Sequence, residues 1–316
     1  MPEILIKFVI SLSSLMVSAY FLLKFSEKLA SRVKISPLII GVTLVAIGTS
    51  LPETFVAISS ILQDAPLVSF GDIIGSNIIN VCLILGISIL LFPVRIGTEK
   101  TQKNNLILLI LVLFFSAVFF LPEGIRGTLG IMLVIFYVIF FVTEIIWGER
   151  GSKKEDKKAL SRLEKNNGNP LFYFFVIVIS VIGLIASSKF LVSSVISISQ
   201  MFNISQEIIG LSVVAFGTSL PELAATLASA FRKDWKLLYG DVQGSNIYNL
   251  SVIGSVLIIF SKNGYSIDTF SLIYMGVVTI SFIALSHKYK GTTIPRIYGL
   301  FYIIAYAFYL FKIYKL

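Results

Sequence analysis

The hexapeptide Gly-Thr-Ser-Leu-Pro-Glu stands at residues 48–53 and again at 217–222, placing Glu53 and Glu222 inside long apolar stretches beside Thr49, Ser50, Thr218 and Ser219. Downstream of each copy comes Gly-Ser-Asn-x-x-Asn, at 75–80 and 244–249. That spacing puts Ser76 with Asn80, and Ser245 with Asn249, on one helical face about one turn apart. A single histidine (His287) and a single cysteine (Cys82) leave no Ser-His pair, no Cys/His zinc site and no disulfide framework. What remains is oxygen chemistry: two carboxylates with hydroxyls, amides and carbonyls, a set that suits a hard cation such as Ca²⁺, which takes about 6 to 8 oxygens. Na⁺ or protons fit the same set, and that overlap permits exchange. A carboxylate at the centre of a bilayer costs about 2.5 to 3.5 kcal/mol, so two facing each other need protons or a cation.

The elements that must hold these groups follow from the prolines. Pro52 and Pro221 lie inside hydrophobic helices, where each removes a backbone donor and clashes with the carbonyl four residues earlier, at Gly48 and Gly217. The helices are expected to break there. Carbonyls freed at Val45 to Gly48 and at Val214 to Gly217 are tolerable only where they line a polar cavity.

Those helices belong to a membrane protein. Of 316 residues 56% are hydrophobic and 14% charged, and mean hydropathy is +0.91. Apolar runs able to cross a core of about 30 Å fall near 4–24, 36–62, 70–93, 104–121 and 126–148, then near 171–198, 206–231, 238–261, 268–287 and 293–314. Residues 39–80 align without a gap onto 208–249 at an offset of 169, with 19 of 42 positions identical, which is an internal duplication. A duplication that restarts after five spans forces the copies to enter the membrane in opposite directions. The expected fold is therefore an all-α membrane protein of ten transmembrane helices in two inverted five-helix repeats, with broken helices two and seven. The repeats span 1–148 and 171–316, their duplicated cores lie near 36–93 and 206–261, and the polar segment 149–170 is a linker. Antiparallel halves meeting near the midplane bring Glu53, Glu222, Ser76, Asn80, Ser245 and Asn249 to one point with the Thr and Ser groups.

Orientation follows from the basic residues. With the amino terminus outside, the inside segments hold 20 of the 26 lysines and arginines and the outside segments five, so both termini are expected outside and the linker in the cytoplasm. The net charge of +9 thus reads as topology signal in a cell membrane, with no call for nucleic acid. Lys189, within a span, reads as a snorkelling side chain. Span one, the counterpart of span six, reads as a retained helix and not as a cleaved signal peptide.

The paired Gly-Thr-Ser-Leu-Pro-Glu segments, each followed by Gly-Ser-Asn-x-x-Asn, resemble the two alpha repeats of the sodium/calcium exchanger branch of the calcium/cation antiporter superfamily. The resemblance covers both halves. It implies cation sites between helices two, three, seven and eight, and sliding of helices one and six to alternate access. By the same resemblance Glu53 and Glu222 are acidic ligands, Thr49, Ser50, Thr218, Ser219, Ser76 and Ser245 small oxygen ligands, and Ala46 and Ala215 carbonyl donors. Asn80 and Asn249 occupy positions where some members carry an aspartate in one, so the centre has only two formal charges. Ca²⁺ and Na⁺ are then transported substrates, with no cofactor and no obligatory protein partner.

Other polar residues read more plainly. Asp72 and Asp241, each beginning a third span, are expected to be helix N-terminal charges favoured by the macrodipole, a mouth lure for cations being the alternative. Gln243, at the position of Ile74, reads as a polar packing contact. Glu144 reads as solvated, Cys82 as a small packing residue, and Asn77 and Asn246 as braces for the broken helices.

Three functions fit. The first is secondary antiport of Ca²⁺ against Na⁺; the second is the same scaffold coupling Ca²⁺, or another cation, to protons. The third is a channel, or an intramembrane enzyme using Ser50 or Ser219 with a glutamate, which lacks an evident base or oxyanion device. Inverted repeats with broken helices favour the transporter over the channel.

Overall fold

A computed structural model describes residues 2–32, 46–95, 99–151, 169–261, 265 and 267–315. The described residues form helices, with one isolated β-bridge between Arg95 and Thr293. Chain order begins with α1 (Pro2–Arg32), α2 (Ala46–Thr49), α3 (Leu51–Leu62) and α4 (Pro66–Ile79). A π-helical turn at Asn80–Leu85 leads into α5 (Gly86–Leu91), α6 (Glu99–Val118) and α7 (Glu123–Gly151). Next come α8 (Pro170–Phe202), α9 (Gln206–Ile209), a π turn at Gly210–Val214, α10 (Ala215–Thr218) and α11 (Leu220–Phe231). The chain closes with α12 (Trp235–Tyr248), a third π turn at Asn249–Ile253, α13 (Gly254–Phe260), α14 (Thr269–Lys288) and α15 (Ile297–Lys315).

Seven of these helices are long and apolar enough to cross a membrane, and eight if the bent pair Gln206–Thr218 and Leu220–Phe231 is one span. Leu51–Leu62 and Gln102–Val118 are shorter apolar helices. The first part of the expected second span, residues 36–45, lies outside the described residues, as does most of the linker; α7 runs on through Gly151, into the segment read as linker.

Polarity is arranged inside out. In the Pro66–Leu91 span 83% of the most apolar window is buried and in Leu237–Phe260 72%, against 11% in Glu123–Thr143, so the two helices bearing the Gly-Ser-Asn segments lie at the centre and Glu123–Thr143 at the rim. Rim side chains such as Ile131, Ile135, Phe172 and Phe175 stay exposed, as suits a lipid-facing surface. Because lipid is as apolar as leucine, burial of such side chains does not drive helices together, and small residues that let backbones approach do. A Cβ placed on Gly71 would meet the backbone N of Leu211 at 2.8 Å and Cα of Gly210 at 3.0 Å; one on Gly75 would meet Ala215 Cβ at 2.7 Å. Gly71 against Gly210 and Gly75 against Ala215 also set direction: α4 runs parallel to the chain from α9 to α10. The tight turn at Arg232–Asp234 then sends α12 back the other way. A second glycine contact, Gly86 against Gly299, joins α5 to α15, and Gly183 against Ser18 joins α8 to α1.

Candidate functional site

Both proline-bearing helices are interrupted, at Ser50 and Ser219. Their φ/ψ values of −89°/16° and −83°/5° lie outside the helical well, and each precedes a helix with proline in its first turn. The interruption thus falls two residues after Gly48 and Gly217, where the missing proline N–H first leaves the helix unsupported. At the second break the axis bends by 44°. The freed carbonyls there are partly taken up locally: Ser219 N donates to Ala215 O at 3.1 Å, and Val214 O lies 3.1 Å from Thr218 Oγ1, whose single proton has a nearer acceptor in Asp72. Ala215 O also has the Thr218 hydroxyl 3.4 Å away. Ala46 opens α2, with its side chain outside the described set, and Val45 lies outside the described residues altogether.

The two hexapeptides meet. Ser50 Oγ of the first donates to Glu222 Oε1 of the second at 3.0 Å, and Thr49 Oγ1 lies 3.5 Å from Ser245 Oγ. Thr218 lies beside Glu53 and Thr49 beside Glu222, so each carboxylate is met by a threonine of the opposite copy. Glu53 and Glu222 are close enough for their charges to act on one another, and each is 1% exposed. Ser76, Ser245, Asn80, Asn249, Thr49, Ser50, Thr218 and Ser219 are buried with them. Of the polar atoms this collects, Glu53 Oε2, Glu222 Oε2, Ser76 Oγ, Ser219 Oγ and both amide atoms of Asn249 have no hydrogen-bond partner. Buried polar atoms are nearly always paired, so a cluster of unpaired oxygens around two carboxylates is what a cation site looks like from its protein side. Among the described residues no lysine or arginine contacts either glutamate, and no three of His, Cys, Asp and Glu come together. The neutral ligands would therefore be hydroxyls, amides and carbonyls.

The asparagines differ in role. Asn80 Nδ2 donates to Asn246 Oδ1 at 2.8 Å and Asn246 Nδ2 to Asn77 O at 3.3 Å. Asn77 and Asn246 thus tie α4 to α12; Asn77 also closes onto Ile73 O within α4 at 2.7 Å. Their bracing acts between the third helices and not on the broken ones. Asn80 and Asn249 each open a π turn, a feature frequent at functional sites. Gln243 is a polar packing contact, donating to Asn105 Oδ1, and Cys82 is buried packing. The side chain of Glu144 lies outside the described set.

Asp72 and Asp241 are not helix N-terminal charges. Helix α4 starts at Pro66 and α12 at Trp235, so both aspartates fall in the second turn, 0% and 4% exposed. Asp72 Oδ1 accepts from Thr218 at 2.8 Å and Asp241 Oδ2 from Thr226 at 2.7 Å. The repeated Gly-Asp at 71–72 and 240–241, among the identities between the copies, was the sequence signal for this.

Comparison with known proteins matches this geometry to a family. The family described as "Sodium/calcium exchanger protein" matches residues 4–146 and 172–315. An uncharacterized membrane protein of Methanocaldococcus jannaschii is 31% identical over 284 residues, 89% of this chain and 88% of that protein. Sodium/calcium exchanger MaX1 of Methanosarcina acetivorans is 27% identical over 332 residues, 93% of each. Among solved structures, the sodium-calcium exchanger NCX_Mj soaked with Na⁺ and Ca²⁺ is similar with a TM-score of 0.62 at 28% identity, covering 97% of both chains. The chain belongs to the sodium/calcium exchanger family, a family of transporters and not of enzymes.

Proposed function

We propose that the chain is a secondary active antiporter that exchanges Ca²⁺ for Na⁺ at one midplane all-oxygen site. Its ligands are Glu53, Glu222, Thr49, Ser50, Thr218, Ser219, Ser76, Ser245, Asn80 and Asn249, with the carbonyls of Ala46 and Ala215. The observation that carries the reading is the contact of Ser50 with Glu222 at 3.0 Å, which makes one cluster of the two hexapeptides. Family membership supports cation/Ca²⁺ antiport, and the names of MaX1 and NCX_Mj support Na⁺ as the counter-ion. In this reading ten helices form two inverted repeats, 1–148 and 171–316, joined by a cytoplasmic linker at 149–170, with both termini outside. Na⁺ and Ca²⁺ compete for Glu53 and Glu222, and access alternates between the faces. Vesicles carrying the purified protein, loaded with Ca²⁺ and given a Na⁺, K⁺ or pH gradient, test it. Ca²⁺ efflux driven by Na⁺ is expected; efflux that follows only the pH gradient would assign proton coupling instead.

A further inference from the structure

Thr218, Glu222 and Thr226 stand at four-residue steps, Thr218 just before the Ser219 interruption and Glu222 and Thr226 on one face of α11 after it, and so mark three successive levels. The middle level is the proposed cation site. The level before it holds Asp72 and the level after it Asp241, each accepting one hydroxyl. Direction separates the two aspartates further, because α4 runs with the chain of α9 and α10 while α12 returns against it. The two aspartates therefore approach the centre from opposite ends of the bundle.

Neither is satisfied by that hydroxyl. Asp241 Oδ1 is buried without a hydrogen-bond partner, and Asp72 Oδ2 makes no direct hydrogen bond, with Ser76 one turn deeper on the same face lying beside that carboxylate. A carboxylate kept in the interior for packing would be expected to find donors for both oxygens. These two instead keep one oxygen each without a direct hydrogen bond, within electrostatic range of Glu53 and Glu222 respectively.

We propose that Asp72 and Asp241 are two flanking cation positions, one on each side of the central site, through which Ca²⁺ passes between the centre and opposite faces of the membrane. The inference rests on the antiport reading. The two positions are not equivalent: Thr226 has Ala57 as its counterpart in the first copy, so Asp72 draws its hydroxyl from Thr218 of the other copy, at the break itself.

The test is radiolabelled Ca²⁺ flux in vesicles, with half-saturation measured separately from each face for the wild type, Asp72→Asn and Asp241→Asn. Asparagine keeps the acceptor for the threonine hydroxyl and removes the charge. Each variant is expected to raise half-saturating Ca²⁺ about tenfold at one face, equivalent to about 1.4 kcal/mol, with the two variants acting on opposite faces. Equal shifts at both faces, or none, would overturn the proposal. If either asparagine variant fails to elute as a single species, Asp72→Glu and Asp241→Glu, which keep charge and move it outward, carry the same face-specific comparison. Equilibrium ⁴⁵Ca²⁺ binding in detergent separates this from failure of the antiport reading. The Glu53→Gln/Glu222→Gln protein is expected to retain weak Ca²⁺ binding that Asp72→Asn and Asp241→Asn remove; absence of such binding counts against the flanking sites. Absence of Na⁺-driven flux in the wild type counts against the antiport reading alone.

Discussion

Asn80 Nδ2 donates to Asn246 Oδ1 at 2.8 Å, whereas Asn249, the counterpart of Asn80 in the second copy, has neither amide atom paired. Two copies of one motif thus use the same residue differently. Asn80 is held by a neighbouring helix, and Asn249 keeps its full hydrogen-bonding capacity for the centre.

Replacing Asn246 with alanine removes both the acceptor of Asn80 and the donor to Asn77 O. Each bond within a membrane bundle is worth about 0.6 kcal/mol, with a larger cost when a partner is left buried and unpaired, about 1 to 3 kcal/mol. A lowered melting temperature in detergent is expected. An unchanged one would show that the amide ladder does not hold α4 to α12.

Glu53→Gln and Glu222→Gln each remove one of the two central charges while keeping the size of the side chain. The loss of one partner from a buried charge interaction costs about 3 kcal/mol or more, hence at least about a hundredfold in Ca²⁺ affinity. Vesicle flux is the readout, and wild-type transport by both variants would remove these residues from the site.

Asn249→Asp adds a third charge where an unpaired amide now sits. At an effective dielectric constant of about 20, a charge about 4 Å from a monovalent cation contributes about 4 kcal/mol before desolvation. Ca²⁺ is expected to bind at least about tenfold more tightly, and the ion-free protein to lose stability. Ca²⁺-dependent thermal stabilisation measures both, and an unchanged Ca²⁺ midpoint would place Asn249 away from the ion.

Glycine substitutions separate tight contacts from open ones. A Cβ at Gly71 would press on the backbone of Leu211 and Gly210, while one at Gly240 would meet nothing within 4 Å. Gly71→Ala is expected to cost about 1 to 3 kcal/mol by overpacking. Gly240→Ala is expected to be neutral or to gain up to about 1 kcal/mol of helix propensity. Equal melting temperatures for the two variants would contradict the contact.

The doubled hexapeptide made the centre legible in the sequence, because a proline and a carboxylate inside an apolar run have few other uses. The aspartates were misplaced for a physical reason. The apolar runs start near 70 and 238, but Pro66 occupies the first helical turn and Asp234 caps α12 by accepting from Leu237 N at 3.1 Å, so both helices begin earlier. Those start signals were present and outweighed by hydropathy. The π turns open at the equivalent Asn80 and Asn249 of the repeated segment, but hydropathy and helix propensity do not distinguish them from ordinary helix.

The contact of Gly71 with Gly210 gives the site a ruler. Side chains can swing to suit an ion, but two backbones in direct contact have no rotamers to exchange, so the spacing between α4 and the chain around Gly210 is set by main-chain geometry. Ca²⁺ sits about 2.3 to 2.6 Å from its oxygens and Mg²⁺ about 2.0 to 2.1 Å. On the antiport reading proposed above, a main-chain frame of this kind favours the larger ion of the two.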